Sequence, residues 1–520
     1  MPAGRAGRAS APPMKLQTIR HQPTVEKAVS LAMRALPFAG LALIAAYVAA
    51  QQAVSPQRRV VKTSVMLILM ALMLRFDMVY SVYLFTALFP YPSGISIGST
   101  NKILMTIIPL IWFIRASSTK SPLFRRTRLD GAFGLFLFAH VLSFVNVETD
   151  KELVESLKVM WRTVTTILYF YMIVNFVDSE RKLLVLTKVL CATVALAMST
   201  ALIELVAPGA VVIPGWLSLE RFSGQGRLSF RVEGMRAQGV LQSHALISDF
   251  GTQVLFLMLY HTVKSRNPLE KTIWGALSLL TIAAILSTAN RGAFLGLAVG
   301  AVSFLVLFRK RIPITRLIVG ASAVIGILAV TEIVLTRYTV AVSVFDRLAQ
   351  TQMYGVVPEN RTMTWAPALN KGLEHPFIGG GLYYDIEQFG LERLLWPHNG
   401  FIFYFCTIGL LGLLSFLFVL WRAFQYSNAY RLPAAEGTAV GDICRLLQIQ
   451  LVMFFVENQR GDFQRDDIYP YMVWLMFGMI AAVALIIEGY MKNEGDQRTG
   501  GGVESADGVP GQGPPRVAPN

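Results

Sequence analysis

Over 520 residues the chain is 54% hydrophobic and 15% charged, a balance too poor in charge for a soluble globular protein of this length. A net charge of +15 would point to nucleic acid in a soluble protein. Among so many apolar runs it points instead to Lys and Arg gathered in cytoplasmic loops and tails, and because the runs are continuous rather than alternating, a closed β-barrel is excluded.

A bilayer-spanning helix needs about 20 largely apolar residues. In chain order such runs include 103–114, 131–147, 183–206, 272–287, 314–335, 399–420 and 471–490. The expected fold is an all-α polytopic membrane protein of roughly 12–14 transmembrane helices, with one large external loop between late spans. Residues 1–30 read as a disordered basic tail without the apolar core of a signal peptide. Residues 31–491 form the multi-span membrane domain, and 492–520, rich in Gly, Pro and acid, a second disordered tail. Residues 61–90 fit either one long span or two short ones pivoting near Arg75 and Asp77.

The basic loop 309–311 joins two spans and should be cytoplasmic; 115–130, 178–182 and 264–271 share its parity. The loops 207–244 and 336–398 then lie outside the cytoplasm, as does the acidic stretch 148–156. Cys191, Cys406 and Cys444 show neither pairing nor metal spacing and read as buried structural thiols.

Several charged residues break the pattern. The loop 207–244 carries Arg221, Arg227, Arg231 and Arg236 against only Glu220 and Glu233. Such an excess runs against the charge bias for an external loop. Guanidinium groups bind phosphate through two parallel N–H bonds, so the cluster reads as an anion clamp, although any single member is better explained by snorkelling to lipid headgroups. The stretch STANRGAFLGLAVG at 287–300 places Arg291 where one span ends and the next begins, a costly position unless paired or functional. Gly292, Gly296 and Gly300 recur every four residues and mark a face that another helix approaches closely.

In the long outer loop a helix is expected over 361–373, opening with Arg361 four residues before Trp365. Pro376 and Gly379–Gly380–Gly381 allow a tight turn or a close backbone approach to a ligand. The loop's carboxylates, Asp346, Glu359, Glu374, Asp385, Glu387 and Glu392, are acid–base candidates among which nothing selects; solvated surface is the default for each. His398 and Asn399 close the loop at the mouth of an apolar run. A histidine there can act as general base, or it can simply be tethered at the interface like its neighbour Trp396. His244, His375 and His398 share no zinc-like spacing, and no Walker sequence is present.

Four stretches, SxxxRGA at 287–293, R-x3-W-x2-AL at 361–369, HPFIGGG at 375–381 and HNGFIFYFCTIGLLGLL at 398–414, resemble the O-antigen ligase and Wzy-type polymerase family of bacterial envelope enzymes. The resemblance is concentrated in 236–420. It implies a glycosyltransferase of the C-type (GT-C-like) multi-span fold in the bacterial inner membrane. The glycan donor would be carried on undecaprenyl diphosphate, and transfer would take place on the periplasmic side with neither metal nor other cofactor. By the same resemblance Arg291 and Arg361 hold the diphosphate, Arg236 matches a further arginine ahead of the preceding span, and His398 activates the acceptor hydroxyl. Arg227, Arg231 and Asn399 complete the expected substrate-binding set. The acceptor is either a repeat-unit glycan, for a polymerase, or lipid A–core, for a ligase. A transporter or flippase for lipid-linked glycans is the alternative; it would distribute charges through span centres and show an internal repeat, whereas here charges gather around one long loop.

Overall fold

The computed structural model describes residue 75 and residues 77–500, interrupted at 91–93, 96–97, 120–122, 207–238, 242, 310–313, 340–342, 344–348, 350–352, 355–356, 385–396 and 462–467. The chain divides into two units, Met1–Arg75 and Phe76–Asn520; the elements below all belong to the second. The N-terminal tail and residues 61–74 lie outside the described residues.

The helices are α1 (Met78–Leu88), α2 (Thr100–Thr119), α3 (Asp130–Leu142), α4 (Asp150–Phe176), α5 (Glu180–Val206), α6 (His244–Lys264), α7 (Pro268–Ser287), α8 (Arg291–Phe308), α9 (Ile314–Tyr338), α10 (Glu359–Glu374), α11 (Gly400–Ser427), α12 (Ala439–Glu457) and α13 (Tyr469–Gly500). Extended pairing among the described residues is confined to two antiparallel two-residue contacts, Gly94–Ile95 with Gly98–Ser99 and Met353–Tyr354 with Val357–Pro358. Among the described residues seven helices are long and apolar enough to cross a membrane, and three shorter apolar helices span Met78–Leu88, Leu104–Ser117 and Asp130–Asn146. The protein is an all-α, multi-pass membrane protein.

Local signals explain where the helices begin. Asp77 caps α1 through its carboxylate on the Val79 N–H at 3.2 Å, so a helix starts at the expected pivot. Thr149 and Glu152 form a reciprocal capping box that opens α4. Asn267 caps α7 just before Pro268. In the last helix, α13, an 18-residue apolar stretch within Tyr469–Lys492 is wholly buried, the mark of a central span. It packs on α4, α11 and α12. Lipid tails are as apolar as leucine, so helix cohesion must come from close packing and interhelical hydrogen bonds. Thr86 to Tyr169 at 2.7 Å and Thr165 to Tyr471 at 3.3 Å are two such bonds.

The two ends of the bundle differ. One carries ion pairs between separate elements: Arg128–Glu488 at 2.7 Å, Lys188–Glu270 at 2.6 Å and Lys264–Asp442 at 3.0 Å. The other gathers the connections 143–149, 287–291, 375–384, 397–400 and 457–461: Asn146 Nδ2 donates to the Gly379 carbonyl at 2.7 Å, and further hydrogen bonds are described below. All three cysteines are free and buried. The C-terminal helix runs to Gly500; the rest of the expected tail lies outside the described residues.

Candidate functional site

The turn before α8 is tight. Ala289 is buried with φ 44°, a left-handed value uncommon for a residue with a Cβ. Asn290 occupies the N-cap, yet its side chain makes no cap hydrogen bond. Its Nδ2 donates instead to Ser248 Oγ at 2.6 Å, and its Oδ1 accepts from Arg460 Nη1 at 3.0 Å. Arg291 follows as the first helical residue, half-buried.

His398 is also left-handed, with φ 47°. A non-glycine residue held there stores backbone strain, which tends to collect at functional sites. The next residue, Asn399, is buried and caps α11: its Oδ1 accepts from the N–H groups of Phe401 at 3.0 Å and Ile402 at 3.2 Å. Gly400 donates its N–H to the Asn458 carbonyl at 2.7 Å, and the Asn458 side chain lies where a Cβ on Gly400 would stand. On the other side of His398, the Pro397 carbonyl accepts from Trp365 Nε1 at 2.7 Å. Trp365 belongs to α10, the helix expected over 361–373. Arg361 lies one turn earlier on the same face; its side chain is outside the described residues.

These contacts form a relay. Trp365 joins α10 to Pro397, Gly400 joins the start of α11 to Asn458, and Arg460 joins the same turn to Asn290. The backbone segments carrying Arg361, His398 and Arg291 are thereby gathered at one end of the bundle. Arg227, Arg231 and Arg236 lie outside the described residues.

The HPFIGGG stretch does something the sequence left open. Within α11 the backbone leaves helical geometry at Gly409, with φ 68° and ψ −170°. At 1.5 Å per residue this break lies about 14 Å along the helix from Gly400. The segment 376–381 docks into it. Leu410 and Leu411 donate to the carbonyls of Pro376 at 2.8 Å and Phe377 at 3.1 Å, while Gly380 and Gly381 donate to the carbonyls of Cys406 at 3.3 Å and Thr407 at 3.1 Å. Backbone groups freed by the break are therefore paired again, as a low-dielectric setting requires. Gly379, with φ 75°, and Gly409 pass too close to the opposing backbone to carry a Cβ. The close approach these glycines permit is to the protein's own helix.

Residues 276–417 match the family model described as O-antigen ligase. This stretch belongs to the O-antigen ligase family. Among curated proteins none matches the chain significantly. The family is one of glycosyltransferase-type enzymes that handle lipid-linked glycans and their acceptors in a membrane. The O-antigen ligase segment starts within α7 and ends within α11, so it contains Arg291, Arg361, the docked 376–381 segment and His398.

A charged cluster lies outside the O-antigen ligase segment and escaped the sequence reading. Arg460 pairs with Asp249 on α6, Nη2 to Oδ1, at 2.5 Å, and its Nη2 stands 4.0 Å from Glu457. The Glu457 side chain is 1% exposed and receives Thr252 Oγ1 at 2.6 Å, Gln253 Nε2 at 2.8 Å and Tyr469 Oη at 3.3 Å. The glycine stripe of α8 explains how these groups fit. Cβ atoms at Gly292, Gly296 and Gly300 would collide with Arg460, Glu457 and Met453 respectively. The close approach expected from glycine spacing is real, but two of the three side chains it admits are charged. One signal was available: Asp249 and Glu457 each interrupt an apolar run, and ionisable residues inside spans are functional candidates by default.

Proposed function

We propose that the chain is a bacterial inner-membrane glycosyltransferase that moves a glycan from undecaprenyl diphosphate to an acceptor sugar on the periplasmic face, as a polymerase or a ligase. The relay from Trp365 through Pro397, Gly400 and Asn458 to Arg460 and Asn290 carries this reading. It links the three segments whose residues the reaction needs.

Arg291 and Arg361, with Arg236, Arg231 and Arg227 of the outer loop, hold the diphosphate and stabilise the charge that develops on it as it leaves. His398 takes the proton from the acceptor hydroxyl. The new bond forms from that oxygen to the anomeric carbon as the bond to the diphosphate oxygen breaks, so the product has inverted configuration. Asn399 contributes indirectly, through the cap that sets the start of α11. The opposite end carries Arg125, Arg126, Arg128, Arg181, Lys182, Lys264, Arg266 and Arg309, which supports placing that end in the cytoplasm and the site outside it. Already a good leaving group, a lipid diphosphate held by several guanidinium groups needs no divalent ion.

The test is glycan transfer by purified protein from an undecaprenyl diphosphate oligosaccharide in the presence of EDTA. Transfer that survives EDTA and is lost in His398→Ala and Arg361→Ala is expected. Transfer retained in His398→Ala removes the base, and transfer abolished by EDTA removes the metal-free mechanism. Repeat-unit and lipid A–core acceptors supplied separately distinguish polymerase from ligase.

A further inference from the structure

Three elements meet over the amino end of α8. Arg460, in the turn after α12, crosses the helix above Gly292. Its guanidinium forks, one arm on Asn290 Oδ1 at 3.0 Å and the other on Asp249 Oδ1 at 2.5 Å. Asn290 is anchored a second time through Nδ2 to Ser248 Oγ at 2.6 Å. Because the Asn290 side chain makes no bond to its own helix, its rotamer is set by Arg460 and Ser248. Arg291 is the next residue along.

We propose that Arg460 is a positioning residue for Arg291: by clamping Asn290 against α6 it fixes the first turn of α8 so that Arg291 meets the lipid diphosphate in one orientation. This rests on Arg291 binding that group, as proposed above. Three observations carry it. A guanidinium at a buried helix junction is expensive, and here the Asp249 carboxylate bonds it directly while the Glu457 carboxylate stands 4.0 Å away. The fork is used as a fork; a lysine reaching Asp249 would leave Asn290 without its partner. Finally, Gly292 is the residue immediately after Arg291, and a Cβ there would take the space of the Arg460 side chain. The glycine is thus required by what lies across it. Asp249 and Arg460 both fall outside the matched residues 276–417, so the rest of the chain supplies the clamp.

The experiment uses the full chain in nanodiscs and measures affinity for undecaprenyl diphosphate and undecaprenyl monophosphate per folded molecule, together with the unfolding temperature. Variants are Arg291→Ala, Gly292→Ala, Arg460→Lys and the charge-neutral pair Asp249→Asn/Arg460→Gln. The pair removes the Asp249 carboxylate together with its cation, and Glu457 keeps its bonds from Thr252, Gln253 and Tyr469. Gly292→Ala and the pair should each weaken diphosphate binding about tenfold or more and erode the preference over monophosphate, while Arg460→Lys retains part of it. A purely structural clamp would lower the unfolding temperature and leave the affinity of folded molecules unchanged. If Arg291→Ala loses the lipid while Gly292→Ala and the pair bind it as wild type does, the positioning role is overturned and the transfer reading stands. If wild-type protein binds neither lipid, or Arg291→Ala binds as tightly as wild type, the diphosphate role of Arg291 falls and the positioning role with it.

Discussion

Trp365 donates its indole N–H to the carbonyl of Pro397 at 2.7 Å, tying the helix that carries Arg361 to the turn that carries His398. Trp365→Phe keeps an aromatic ring but trims the indole and deletes the donor, leaving the carbonyl of buried Pro397 without its partner. Stability should fall by about 1–3 kcal/mol, read as thermal unfolding in detergent. Glycan transfer should fall further than the folded fraction does, because the two segments lose their register.

His398 holds a left-handed backbone at φ 47°. Glycine adopts that conformation without a Cβ penalty. His398→Gly should therefore be more stable than His398→Ala by about 1 kcal/mol, yet both should lose transfer by a factor of about 10²–10⁴, the usual worth of a general base. Comparing unfolding temperature with rate in the two variants separates strain from chemistry.

Gly409 and Gly134 make a matched pair. A Cβ at Gly409 meets the Phe377 carbonyl and the Ile378 nitrogen in a left-handed conformation, whereas one at Gly134 meets nothing within 4 Å. Gly409→Ala should destabilise by at least about 3 kcal/mol. Gly134→Ala, in the exposed face of α3, should be neutral or stabilising by up to about 1 kcal/mol. Recovery of monodisperse protein after heating reads both.

Glu457 accepts from Thr252, Gln253 and Tyr469. Glu457→Gln turns one acceptor oxygen into an NH₂ group facing a donor. A loss of about 1–3 kcal/mol is expected. In Thr252→Val/Glu457→Gln, with one of the opposed donors removed, the combined loss should be smaller than the sum of the single losses.

Much of the helical frame was legible. The apolar runs 103–114, 183–206, 272–287, 314–335 and 471–490 each lie within a helix, and 131–147 overruns its helix and 3-10 extension by one residue, because in lipid a spanning segment must satisfy its backbone internally and be apolar to do so. The helix around Trp365 was legible for a local reason, and so was the close approach along Gly292, Gly296 and Gly300. What approached was not. Arg460 sits in NQRGD, which reads as an ordinary polar turn until Asp249, 211 positions earlier in the chain, is brought against it. Gly409 was hidden for a similar reason. In IGLLGLL it resembles any packing glycine, and only the docked 376–381 segment supplies the partners that let a span break there. The glycines at 379–381 did announce a close approach; tertiary structure decided that the approach is to Cys406 and Thr407.

The docking of 376–381 into α11 has a consequence for biogenesis. Synthesis runs from the amino end, so the segment emerges before Cys406, Thr407, Leu410 and Leu411 exist to receive it. Its peptide groups must wait in water, or under a chaperone's cover, until α11 has entered the bilayer. Only then can the segment sink to its final depth. A chain released after truncation just short of Leu410 would therefore leave a cysteine introduced at Ile378 open to an aqueous alkylating probe, and the full chain would close it off.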